Sequence, residues 1–209
     1  MRILLVLWLC GWSWVAAPAQ TTADLVAGDA ESAAVLGRSC IVVTTTGQMA
    51  VAYAGMARAF AAPDLLGDLQ REYARQLPPG EQPEFVIEQT APGLYHYVNR
   101  HGQASYIREV HRAARGESAT ELVLHTWGKR FFGRYEAVIH VTVTAGTERD
   151  LGYATVVYAY PENGMSRFLA RHLGLVERYF RSKTAELEAL SVRLGDALCA
   201  PEVAHRISP

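Results

Sequence analysis

The chain closes on one long amphipathic pattern. After Pro161-Glu162-Asn163-Gly164 the apolar spacing predicts a single unbroken helix from about Met165 to about Ala197. Leu169, His172, Leu173, Val176, Tyr179, Phe180, Lys183, Leu187, Leu190 and Leu194 fall along its stripe, and Arg171, Glu177, Arg178, Arg181, Glu186 and Glu188 fall mostly off it. A helix of that length needs a broad apolar surface to cover. The preceding sequence supplies one, because from Glu84 to Tyr160 β-branched and aromatic runs alternate with Gly, Asn or charged turns.

The boundaries of those runs are readable. Cys40 to Thr46 is β-branched and stops at Gly47, and Gln48 to Ala61 and Asp64 to Gln76 carry helical spacing broken by Pro63. Strands are expected over Glu84 to Gln89, Leu94 to Asn99, Ala104 to His111, Glu121 to Trp127, Arg134 to Thr144 and Gly152 to Tyr160. Connections this short favour an antiparallel meander. From Arg134 onward, Tyr135, Ala137, Ile139, Val141 and Val143 share one face, while Glu136, His140, Thr142 and Thr144 share the other. That alternation predicts one covered face and one wet face.

The N-terminus sets the expected compartment. Met1 and Arg2 lead into an apolar run through Ala17, and Ala17-Pro18-Ala19 has the small-x-small form of a signal-peptidase site. Residues 1–19 are therefore expected to be a signal peptide, and the protein to be periplasmic or secreted. An uncleaved anchor is the competing reading, which Gly11 and Ser13 inside a short run disfavour. The expected organisation is a flexible arm over 20–38, small and alanine-rich, one domain over 39–199, and a tail over 200–209.

About 190 residues remain after processing, enough for a single core. With 20 basic and 21 acidic side chains the charge nearly balances, which argues against a nucleic-acid partner, and no later stretch is apolar enough to span a bilayer. Processing leaves two cysteines, Cys40 and Cys199, an even pair that makes a disulfide candidate in an oxidising compartment; two buried free thiols are the alternative.

The order of elements resembles the helix-grip fold of the START and polyketide-cyclase-like (SRPBCC) superfamily. The resemblance spans about Ser39 to Cys199, and Tyr153 to Pro161 with Phe168, Leu169, Val176, Tyr179 and Phe180 carry it most. It implies an α+β fold: a curved antiparallel sheet of about seven strands, two short helices after the first strand, and a long C-terminal helix packed on the sheet. It also implies a hydrophobic small molecule or lipid held between sheet and helix. That superfamily is mostly intracellular, whereas this chain carries an export signal.

No nucleophile elbow, zinc signature, phosphate loop or dinucleotide fingerprint is present, so no catalytic residue, metal or cofactor is assigned. His96, His111, His125 and His140 fall on four successive expected strands, and the alternation points His111 and His140 to solvent. The expected ligand-binding set is Tyr97, Tyr106, Arg108, Tyr135, Ile139, His172, Val176 and Phe180. Packed core aromatics and a hydrogen-bonded core histidine are the competing reading of the same residues. Arg108 is either a buried cation that needs an anionic partner or a solvated one, according to which face is covered. A non-catalytic binder heads the functional reading. A structural protein of the cell envelope with a protein partner, and a cyclase- or hydrolase-like enzyme of the same shape, are its rivals.

Overall fold

The computed structural model describes residues 20–130, 133–164, 167–168 and 174–199, with some side chains of the closing helix left aside. Its centre is one antiparallel sheet: β1 (Ile41–Met49), β2 (Phe85–Ala91), β3 (Leu94–Asn99), β4 (Ala104–Arg115), β5 (Ala119–Arg130), β6 (Gly133–Ala145) and β7 (Leu151–Pro161). The order across the sheet is β1-β7-β6-β5-β4-β3-β2. Strands β2 to β7 form the expected meander, and β1 closes it against β7. Between β1 and β2 lie α3 (Tyr53–Ala61) and α4 (Leu65–Arg75), and the chain ends in α5 (Leu175–Cys199). This is the helix-grip architecture.

Two departures sharpen it. Gly47 does not stop the first strand, which runs on to Met49, because Gly47 pairs with Tyr153 and leaves room for its ring. A Cβ on Gly47 would lie 2.7 Å from that ring. The space lets the Tyr153 hydroxyl donate to Oε2 of Glu188 on α5 at 2.6 Å. Burial first, and then this bond, push the Tyr153 phenol up to about 12. The closing helix, expected to be unbroken from Met165, is interrupted: Gly164, Arg167 and Phe168 are already helical, but Gly174 lies outside the helix with a φ of +61°, a conformation that favours glycine, and α5 begins at Leu175. The Gly174 carbonyl accepts the first helical bond, from Arg178 N at 2.9 Å.

The inner face of the sheet, toward α3, α4 and α5, carries two apolar clusters. Val43, Tyr135, Ala137, Val157 and Ala159 enclose Val176 and Phe180 of α5. Met49, Leu122, Val143, Leu151 and Tyr153 pack with Met56, Phe60 and Leu65 of the short helices. Alternation along β6 and β7 explains both.

The outer face is where expectation and structure part. Residues 20–38 are not a loose arm: α1 (Thr22–Leu25) and α2 (Ala30–Leu36) lie on it, with Val26 and Val35 buried against Val123 and Val138. Thr21 and Asp24 form a capping box for α1, and Asp29 caps α2 by accepting from Ser32 N at 2.8 Å. A face read as wet is thus partly roofed. Cys40 is a free thiol whose S–H donates to the Val35 carbonyl at 3.1 Å, so the expected bridge to Cys199 is not formed; the Cys199 side chain lies outside the described ones.

Among the described residues no helix is long and apolar enough to cross a membrane. The expected signal peptide and the C-terminal tail lie outside the described residues.

Candidate functional site

The expected ligand-binding residues divide between the two faces. Tyr97, Tyr135, Ile139, Val176 and Phe180 belong to the inner side. Tyr106 and Arg108 stand on the outer face in register with Trp127 and His125, which removes both from any site between sheet and α5. His172 lies outside the described residues.

On the inner face, Ile107, Leu124, Ile139 and Val141 remain only half-buried, although Tyr95, Thr126, Leu122 and Ala137 beside them are buried. Leu124 and Val141 border one apolar cluster and Ile139 borders the other, so these residues mark a seam between the two. Polar groups flank the seam. The hydroxyls of Ser105 and Tyr135 share a hydrogen bond of 3.1 Å across Gly128. On the other side the Arg112 guanidinium donates to the Phe60 carbonyl at 2.8 Å, to the Ala62 carbonyl, and to Glu109 Oε1 at 2.8 Å, closing the end of α3. A hollow of about 340 Å³ opens beside it, lined by Tyr53, Phe60, Arg112, Gly116 and Thr120. The Tyr95 hydroxyl is fully buried on this face, and burial, followed by the neighbouring Asp64 carboxylate, raises its phenol to about 12.

The outer face holds the titratable groups. A bulge between Glu109 and His111 puts these two residues on opposite faces, because Glu109 pairs with inner Leu124 and His111 with outer Val123. His96, His111, His125 and His140 therefore all stand on the outer side. His140 does not face solvent: it is 8% exposed, with Nδ1 2.9 Å from Thr22 Oγ1 and Nε2 3.6 Å from Glu121 Oε1. Glu121 is 1% exposed and accepts from Arg115 at 2.8 Å. Burial lowers the His140 pKa, Glu121 pulls it back up, and His111 and Arg115 push it down again.

Hydroxyl, imidazole and carboxylate thus stand in a row. Thr22 is itself buried under the roof it belongs to, so the row binds the arm down and offers no substrate a nucleophile.

His125 is 4% exposed, its Nδ1 3.4 Å from the Arg108 guanidinium. Arg108 in turn donates to Asp29 at 3.0 Å and Glu31 at 2.9 Å, both from the arm. The anionic partner that a buried Arg108 requires is therefore present, on the outer face. Burial and then Arg108 lower the His125 pKa, against Glu136, Glu31 and Asp29. Burial works to raise the Asp29 carboxyl, but the bonds from Ser32, with Arg108 and His125, hold it below the usual range. Past the arm the rings continue as a stack: His125 to Trp127 at 5.0 Å, Trp127 to Tyr106 at 5.6 Å, Tyr106 to His96 at 5.1 Å. Tyr106 is 42% exposed. Among the described residues no cluster of three or more His, Cys, Asp or Glu has metal-binding geometry.

The sequence does not announce this outer network, because polar alternation along a strand has the same form whether that face is solvated or covered. The signal that marks it is the concentration of Asp29, Glu31 and Arg38 in the arm opposite Arg108 and Glu136 on the sheet.

No family model and no curated protein matches the chain. Solved structures similar to it include a hypothetical protein from Helicobacter pylori, 10% identical over 74% of this chain and 88% of that one, with a TM-score of 0.49. A conserved protein from Geobacillus kaustophilus is 12% identical over 72% of this chain and 97% of its own, at a TM-score of 0.47. Norcoclaurine synthase from Thalictrum flavum, in complex with dopamine and hydroxybenzaldehyde, is 12% identical over 77% and 90%, also at 0.47. At these values none of the likenesses bears on function, and the helix-grip architecture rests on the strand order of this chain and the seat of its own α5.

Proposed function

We propose that this is an exported member of the START-like superfamily that holds a hydrophobic small molecule or lipid between sheet and α5 without transforming it. The observation that carries the reading is the seam: Ile107, Leu124, Ile139 and Val141 are apolar, stand on the helix side of the sheet, and are only partly buried where the two packed clusters meet. Apolar wall left open inside a fold is where a greasy guest gains most from leaving water. The Ser105 and Tyr135 hydroxyls, already satisfied by each other, would exchange that bond for one to a polar end of the guest. Export after Ala19 belongs to the same proposal, supported by Ala17-Pro18-Ala19 and the polar run beyond it.

The test is binding of an apolar fluorescent probe, with mass spectrometry of organic extracts of protein purified from its own host. A retained lipid, and probe uptake that Ile139→Trp reduces by filling the seam, support the proposal. No extractable molecule and no probe uptake would overturn it. N-terminal sequencing of exported protein should start at Gln20, and a chain retaining Leu4 to Leu9 would sink the processing step.

A further inference from the structure

The arm over 20–38 is too short to hold itself. A helix of four residues and one of seven do not persist alone, so α1 and α2 exist because they are docked. Their fully buried apolar anchors are Val26 and Val35. Leu25 and Leu36 add partly buried apolar contact, and the polar links of the arm each end on an ionisable side chain of the sheet. Thr22 meets His140, Asp29 and Glu31 meet Arg108 beside His125, and Arg38 donates to Glu136 at 2.9 Å.

We propose that the arm is an acid-released strap: protonation of His125, assisted by His140, frees residues 20–38 from the outer face while the sheet and α5 stay folded.

The geometry at His125 gives the reason. Its Nδ1 faces a guanidinium N–H of Arg108, which Asp29 and Glu31 of the docked arm bond from the other side, so docking suits a neutral ring that can accept. A proton on that nitrogen sets donor against donor and places a second positive charge 3.4 Å from the first. The groups facing the ring are Arg108 from β4, Asp29 and Glu31 from the arm, and Glu136 from β6. Asp29 is already bonded to Arg108 and Ser32, and Glu31, 3.9 Å away, has a side chain 70% exposed to screening water. The other ring nitrogen, Nε2, is buried with no partner among the described residues, as is Nε of Arg108. The new charge thus gains no dedicated acceptor.

At His140 the facing groups are Glu121 from β5 and Arg115 and His111 from β4. Glu121 favours the proton, while burial and the two cationic neighbours oppose it, so this ring is the weaker lever. Both rings take water and a proton freely once the arm lifts. Both folded pKa values lie below that of a free imidazole, so docking is fully favoured above about pH 6.5 and weakens as pH falls below it.

Hydrogen exchange read by mass spectrometry at pH 7.5 and 5.5, corrected for intrinsic rates, tests this. One unit below the free imidazole pKa, a ring protonated only in the released state multiplies opening by up to about tenfold. Exchange across 20–38 should therefore quicken at pH 5.5 by up to about tenfold, with β6 and β7 amides unchanged, and His125→Gln should abolish the acceleration. Arm exchange that is unchanged or slower in acid would overturn the strap, as would β6 and β7 opening in step with it. Should His125→Gln not fold, the ring proton shifts of the unmutated protein decide: a His125 midpoint below 6.5 supports the proposal, and one at or above it defeats it.

Discussion

The Thr22 hydroxyl lies 2.9 Å from Nδ1 of His140, joining the first turn of the described chain to the middle of β6. Both groups are buried, so neither has water as a substitute partner. Thr22→Val keeps the shape and removes the hydroxyl, leaving an imidazole nitrogen unsatisfied. The expected loss is about 1–3 kcal/mol of arm docking, read as faster exchange over 20–38, with the urea midpoint of the sheet almost unmoved. A variant whose arm exchanges as before would show that the bond contributes nothing.

The charge beyond that bond gives a pH prediction. Arg115 neutralises Glu121 and helps hold the His140 pKa down. Arg115→Met removes the cation and leaves a buried carboxylate facing the imidazole alone. His140 should then take up its proton at a higher pH than in the parent, visible as a shifted midpoint in its ring resonances. An unmoved midpoint would mean that burial alone governs the ring.

These two cases show why the outer face was the least legible part of the molecule. Period-two alternation in β6 reports correctly that His140 opposes Ile139 and Val141, but it says nothing about what lies over the second face. The cover comes from an alanine-rich stretch whose buried anchors are two valines 9 residues apart, too sparse a pattern to announce a docked helix pair. The strands themselves were legible, because Gly93, Gly102 and Gly116 mark turns with positive φ. Gly47 misled for a different reason: its role is to clear space for Tyr153, a tertiary fact. His111 stands on the outer side as the alternation expected, but the bulge at Val110 turns Glu109, two residues before it, to the inner face without any local mark.

Close packing across the inner face predicts a further cost. Gly128 lies between Ser105 and Tyr135, and a Cβ there would sit 2.5 Å from Ser105 Oγ and 2.7 Å from the Ala104 carbonyl oxygen. The hydroxyl can rotate away, but the backbone oxygen cannot. Gly128→Ala should destabilise by about 1–3 kcal/mol, and Ser105→Ala in the same chain should recover only part of it. Full recovery would show that the side chain alone made the clash.

The grip of the closing helix is the relation on which the binding proposal depends. Phe180 is 7% exposed and packs with Val43, Tyr135 and Val157, so its end of the inner face is filled. Phe180→Ala removes a ring from a packed cluster and should cost about 3–5 kcal/mol in urea unfolding. Arg181→Ala is the control. Its side chain is exposed and pairs with Glu177 one turn back, an arrangement worth about 0.3–0.5 kcal/mol. The guest is placed at the seam, beside Ile139 and Leu124, and not at Phe180. Probe uptake should therefore respond more strongly to Ile139→Trp than to Phe180→Ala under conditions where both variants are folded. If Phe180→Ala changes uptake while costing less than about 1 kcal/mol, the ring lines open space. The guest would then lie nearer the start of α5 than the seam.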